Sequence, residues 1–276
     1  MDKNKKMVIE NFLEQKIIYP LDEKEFDRAY DHIDTYVKSI IKKSIHLNYL
    51  FLENEFFKSR FNKKREITLE GLKIIEVQQK KRGIVAFLSK DFNSPSQLIA
   101  LILIPRILGI DTFVIGNYPK WPINLLVTLE FLGISHVYNL DEKKLSHINV
   151  DFDPNWSFFS LGTPLPTLKE PVKYLNLPKY GLVVKKNDSS SINIKHIQIA
   201  HPSLNISEIA YDDFKKSYPT SKLRDIDVIY TECGLNLPPF PSPFLILGRG
   251  LETFWFFPHL DINDFLVEQY SIFKIE

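Results

Sequence analysis

Between Asp22 and Asn48 the apolar residues Phe26, Tyr30, Ile33, Val37, Ile40, Ile41 and Ile45 recur at three- and four-residue steps, with charged residues between them. This spacing gathers them on one face and predicts an amphipathic helix over the stretch. Aromatics and a basic stretch at Lys63 to Arg65 follow, and a second helix is expected near Leu69 to Gln79, giving a helical N-terminal region. At Arg82 the pattern changes. GIVAFL (83–88) is an unbroken apolar run suited to a buried strand, Ser94 to Gly109 reads as an apolar helix closed by glycine, and DTFVIG (111–116) reads as a second strand. Beyond the turn YPKWP come a helix over 124–132, closed by Gly133, and a third strand, HVYNL. Strand alternating with helix in this way is the pattern of a parallel sheet with right-handed crossovers.

Residues 151–180, rich in proline and aromatics, lose the regular pattern and are expected to connect two regions. GLVVKK (181–186) reads as a strand, NDSSS (187–191) as a turn and IDVIY (226–230) as another strand, whereas the prolines of LPPFPSP (237–243) forbid regular ladder pairing. Asp261 is placed to cap a helix through Asp264, Phe265 and Leu266, and Ser271 to Ile275 alternates like a terminal strand. The expected fold is α/β, with parallel-sheet Rossmann-like lobes and a helical N-terminal region. Residues 82–175 make one Rossmann-like lobe with a Pro-rich connector, and residues 1–81 and 176–276 make the helical region plus a second α/β lobe.

Composition narrows the partners. A chain of 276 residues, 44% hydrophobic, can bury a sizeable core, and 35 Lys and Arg against 34 Asp and Glu leave a net charge of +1. That balance gives no electrostatic reason to bind nucleic acid or an anionic membrane. Glu10, Asn11 and Glu14 interrupt the first apolar run, so no signal-peptide core forms and a cytoplasmic location is expected. The longest apolar run, Leu98 to Leu108, is broken by Pro105 and Arg106 and is too short to cross a bilayer. The single cysteine, Cys233, excludes an internal disulfide and any multi-cysteine zinc site. Ten glycines are few for a dinucleotide enzyme, and neither G-x-G-x-x-G nor G-x-x-x-x-G-K occurs.

SPSQLIALILIPRILGIDTFVIG (94–116) resembles the segment that histidinol dehydrogenases write as YPSxVLM, followed by PAxxAGV and a hydrophobic strand. Ser94, Pro95, Ser96, Arg106 and Gly109 fall where that pattern has related residues. LLVTLEFLGISHVYNL (125–140) resembles the next helix and strand of the family, and RGIVAFL leads to Ser89, Lys90 and Asp91 where the family has a Pro-Gly-Gly turn. At the other end GLETFWFFPHLDINDFLVEQYSIFKI (250–275) is similar to the A-R-F segment, the L-S-V-x-D-F-L helix start and the strand after it, with Asp264, Phe265 and Leu266 on D-F-L. Ile199, Ala200, Leu204 and Ile206 are spaced like I-A-P-E-H-L-x-I.

The resemblance implies a dehydrogenase-type α/β fold, NAD as cofactor and zinc-dependent oxidation of histidinol, and the departures bear on the chemistry. The Glu and His that serve the family as acid and base would fall on Pro202 and Ser203, which cannot do that work. The family's zinc-binding Asp segment falls near Pro239, its C-terminal His has no counterpart before Glu276, and the stretch between Leu140 and Ile199 is much shorter than in the enzyme. Gln198 and His201 keep the Gln-x-x-His spacing of the zinc pair, but they sit in the stretch that aligns with the later segment. The expectation is a diverged relative without zinc-dependent histidinol oxidation, holding neither zinc nor another metal and binding a small-molecule ligand or a protein partner. The sequence does not fix an oligomeric state. The alternative is an active NAD-dependent oxidoreductase on an alcohol or aldehyde, with Cys233 or His201 recruited to catalysis.

Cys233 follows a predicted strand, a position from which aldehyde dehydrogenases, whose fold resembles that of the family, use a cysteine; a lone cysteine is more often a small buried hydrophobe. Glu232 beside it is a candidate base, though neighbours on a strand face opposite sides. Asp27, Asp31, Asp34 and His32 have the spacing of a helical metal cluster and equally that of a solvated face. His136 and His196 read as structural residues in apolar surroundings, and His259 as one able to reach a cleft. The aromatics Trp121, Trp156, Phe158, Phe159, Trp255, Phe256 and Phe257 suit a pocket, an interface or a core.

Overall fold

The computed structural model describes residues 7–56, 63–69, 72–145, 153–163, 172–186, 191–217, 225–232 and 245–274. In chain order these carry α1 (Met7–Glu14), β1 (Ile18–Pro20), α2 (Glu23–His32), α3 (Thr35–Phe56), β2 (Lys63–Leu69), β3 (Leu72–Lys80), β4 (Gly83–Leu88), α4 (Pro95–Leu108), β5 (Asp111–Gly116), α5 (Ile123–Phe131) and β6 (Val137–Leu140). There follow α6 (Glu142–Leu145), β7 (Trp156–Leu161), β8 (Val172–Leu175), β9 (Tyr180–Lys185), α7 (Ile194–Ala200), β10 (Asn205–Ala210), α8 (Tyr211–Ser217), β11 (Val228–Thr231), β12 (Leu245–Gly248), a 3-10 turn (Ile262–Phe265) and β13 (Leu266–Lys274).

Three sheets result. The first has the order β1-β6-β5-β4-β7-β8, all parallel except the short edge strand β1. The second, β10-β9-β11-β12, is wholly parallel, and the third, β13-β3-β2, is antiparallel. This is the α/β architecture with parallel sheets that the alternating pattern predicts. β4 lies in the middle of the first sheet, and all six of its residues are buried, which is why its sequence is an unbroken apolar run. One core continues from α4 and α5 through Leu161, Val183, Tyr230 and Trp255, so both parallel sheets share it. Among the described residues no helix is long and apolar enough to cross a membrane.

Several elements differ from the sequence reading. The predicted helix over 22–48 is two helices, because Ile33 is extended (φ −80°, ψ 139°) and Asp34 restarts the chain by accepting the Tyr36 N–H at 2.7 Å. The helix expected at Leu69–Gln79 is the strand β3, held between β2 and a β13 that lies nearly two hundred residues along the chain. Residues 151–180 contain two strands. In β7 (WSFFSL) every side chain is buried, and Ser157 and Ser160 mask the apolar run. Polar residues obscure β10 (NISEIA), and β12 (LILG) is a short apolar run directly behind a proline-rich stretch. Trp121, Trp156, Phe158, Phe159, Trp255 and Phe257 are each 5% exposed or less, so this group is core, with Phe256 half-buried beside it. His136 is exposed and stacks on Phe113 (ring centroids 4.8 Å apart), not in apolar surroundings.

Candidate functional site

In the first sheet the chain leaves β4 toward β5 and β6 on one side and returns to β7 and β8 on the other. Ligands of open parallel sheets bind at such a reversal, beyond the carboxyl ends of the strands. Here the place holds Asp91 and the Gly162 turn. Thr163 donates its N–H to Asp91 Oδ1 (3.3 Å) and its hydroxyl to Oδ2 (2.7 Å), and Ser89 Oγ donates to Oδ1 as well. Partial burial pushes the carboxyl up, but these bonds outweigh it and hold Asp91 below the ordinary carboxylate range. Gly162 has φ +95°, and a Cβ there would collide with Ser89 Oγ.

The N-terminus of α4, next to this reversal, is closed by protein. Ser94 caps the helix by accepting the Gln97 N–H (3.4 Å), and its hydroxyl donates to the Ala200 carbonyl (2.8 Å) with His201 Nδ1 at 3.1 Å. Ser203 Oγ donates to Asn93 Oδ1 at 2.7 Å. His201 is 2% exposed, with its ring centroid 5.1 Å from that of Trp255. Burial drives its pKa down to about 3, against a smaller upward pull from the Phe254 carbonyl, so the imidazole is neutral. The Ser44 and Ser96 hydroxyls both reach the Thr253 carbonyl (2.6 and 2.7 Å), tying α3 and α4 to the same segment. An ordinary dinucleotide fold seats the pyrophosphate on the helix after the first strand. Ser94, Ser96 and Gln97 are all buried, Ser94 against the turn between α7 and β10 and Ser96 against Ser44 and the Thr253 carbonyl, so these residues do not fit NAD in that pose.

Zinc fits no better. Gln198 is exposed on α7 while His201 lies buried beyond its end, so the pair does not face a common point. Pro202 and Ser203 are exposed. Among the described residues no three His, Cys, Asp or Glu side chains are grouped to hold a metal ion. Asp27, Asp31, His32 and Asp34 are exposed. Cys233 and the LPPFPSP segment lie outside the described residues. Glu232, at the end of β11, accepts the N–H and hydroxyl of Ser191. His196 is half-buried 5.8 Å from the Tyr36 ring, and burial first, then Lys43, lowers its pKa against the opposite pull of Glu252.

A cleft of about 740 Å³ opens beside the carboxyl ends of β5 and β6, between α2 and the turn Tyr118 to Trp121. Trp121 donates from Nε1 to Asn139 Oδ1 (2.6 Å) and packs 4.9 Å from Tyr118, whose hydroxyl donates to the Phe92 carbonyl at 2.6 Å. Burial pushes the Tyr118 phenol well above its ordinary range. The opposite wall is α2, with Arg28 paired to Glu25 at 2.9 Å and His32 Nδ1 2.7 Å from the Arg28 carbonyl. Tyr30 clamps α2 onto α5 by an edge contact with Phe131 (6.1 Å), with Lys38 over the Tyr30 ring at 3.6 Å. Pro122 gives the first turn of α5 no side-chain acceptor, and Lys120 stands next to it. Sequence reasoning missed this site; the adjacent Tyr118, Lys120 and Trp121 in a turn after a strand were its one signal.

No family model matches the chain, and no curated protein matches it in sequence. In structure it is similar to histidinol dehydrogenase from Elizabethkingia anophelis, at 10% identity and a TM-score of 0.51, over 99% of this chain and 81% of that one. The chain has a histidinol dehydrogenase-like fold. It is also similar to an NAD-dependent benzaldehyde dehydrogenase from Corynebacterium glutamicum (9% identity, TM-score 0.44, 99% of this chain and 87% of that one). A succinate-semialdehyde dehydrogenase from Burkholderia pseudomallei follows (8%, 0.41, 87% and 86%). At such identities the likeness to histidinol dehydrogenase concerns fold, and activity has to be argued from the site.

Proposed function

We propose that this protein is a diverged histidinol dehydrogenase-like protein that does not oxidise histidinol with zinc and that binds a small ligand in the cleft beside Trp121. The observation that carries the reading is the turn between α7 and β10. A general base must reach its proton within hydrogen-bond distance. His201 is inside the protein with Nδ1 beside Ser94, Pro202 has no titratable group, and Ser203 is bonded to Asn93. The turn therefore works as a fastener between the two parallel sheets rather than as an acid–base relay. The cleft offers what a small ligand needs: an indole and a phenol on one wall and opposed charges on the other.

The test has two arms. Purified protein incubated with zinc, NAD and histidinol is expected to form no NADH and to retain no stoichiometric zinc; histidinol-dependent NADH formation with zinc bound would overturn the reading. In the second arm, thermal unfolding is followed against a panel of nucleotides and amino acids. One class is expected to raise Tm, and the rise is expected to vanish in Arg28→Ala and Trp121→Phe.

A further inference from the structure

A second cleft, of about 240 Å³, lies where β8 ends and β9 begins, between the two parallel sheets. Its floor is Trp255 and Phe257, which meet edge to face at 6.2 Å and 76°, and its rim is formed by Tyr174, 39% exposed, and by His259. Asp227 stands at the edge. Its Oδ2 accepts the N–H groups of Lys179 (2.6 Å) and Tyr180 (2.8 Å), which fixes the carboxylate in place. Among the described residues that line the cleft there is no lysine or arginine, and the ionisable side chains are Asp227, His259 and the Tyr174 phenol. Lys173, next to Tyr174, donates from Nζ both to Asp264 (2.7 Å) and to the carbonyl of His259 at the rim, and the Asp264 carboxylate balances its charge.

The cleft thus presents one fixed carboxylate beside aromatic side chains, set apart from the cleft beside Trp121. One carboxylate among apolar walls is a poor cage for a hard metal ion, which takes six to eight oxygens in the case of calcium. A cation whose charge is spread over alkyl groups suits both the carboxylate and the ring faces. The volume is below the usual range for drug-sized ligands, which limits the guest to a few carbon atoms. We propose that this cleft binds a small organic ammonium ion between Asp227 and the exposed Tyr174 ring, over the buried floor of Trp255 and Phe257.

The experiment is calorimetric and NMR titration of the full chain with choline and with its neutral isostere 3,3-dimethylbutanol. Choline is expected to bind saturably, the alcohol at least about tenfold more weakly, and Asp227→Asn to weaken choline by about tenfold, a change worth about 1.4 kcal/mol. The asparagine still offers an oxygen to the two N–H groups, so the fold is expected to survive. Should Asp227→Asn fail to fold, the exposed rim variant Tyr174→Ala carries the same expectation of weaker choline binding. No saturable binding, equal binding of the alcohol, or unchanged choline binding in the folded variants would each overturn the proposal.

Discussion

His201, a candidate catalytic residue in the sequence, is enclosed by the fold and held neutral. Its folded pKa of about 3 lies below the ordinary 6.5, so between these values the unfolded chain takes up a proton that the folded chain excludes. Stability is therefore full above about pH 6.5 and falls as the pH drops toward about 3, at up to about 1.4 kcal/mol per pH unit from this group. Urea titrations of the wild type and His201→Gln should show that part of the acid slope disappearing in the variant, whatever the variant costs at neutral pH. An unchanged slope would mean that His201 is not held neutral. Gly162 is a second residue fixed by local physics. Its φ of +95° and its closeness to Ser89 leave no room for a side chain, and Gly162→Ala is expected to lose about 1–3 kcal/mol in urea unfolding. The histidine was legible in the sequence only as a candidate; nothing local foretold that Trp255 and Ser94 would enclose it.

At the level of elements, Ser94 does two jobs at once, capping α4 and holding the α7–β10 turn through the Ala200 carbonyl. Ser94→Ala is expected to cost about 1–2 kcal/mol, at the upper end for a cap, because a buried carbonyl also loses its donor. Hydrogen exchange should show the loss at α7 as well as in the first turn of α4; protection lost in α4 alone would limit Ser94 to capping. Helix α4 itself was readable, from Ser94 and Pro95 at its start to Gly109 at φ +67° after its end. The break at Ile33 was not, because the apolar face continues through it and only the carboxylate of Asp34 marks the restart. In β3 the residues Leu72, Ile74, Ile75 and Val77 satisfy a helical and a strand template equally, and pairing with β2 and β13 chooses between them.

For the whole molecule, the shared core predicts one cooperative transition. Trp255 is fully buried between elements of both parallel sheets, and Trp255→Ala is expected to cost about 3–5 kcal/mol while fluorescence and far-UV dichroism still lose structure together. Separate transitions would show that the sheets fold independently. Removing residues 266–276 takes β13 off β3, and limited proteolysis is expected to become faster within 63–80, with the first sheet protected. The sequence by itself determined the elements built on a largely buried apolar run or period: β4, α4, β5, α5, β6 and β9, each recognisable without its partner. The α/β pattern it carried agrees with the fold shared with histidinol dehydrogenase. Tertiary structure alone decided β3, β7, the closure of α4 over His201 and the cleft beside Trp121. Each joins segments far apart in the chain, and the free energy that fixes them comes from contacts across that distance, which no local pattern records.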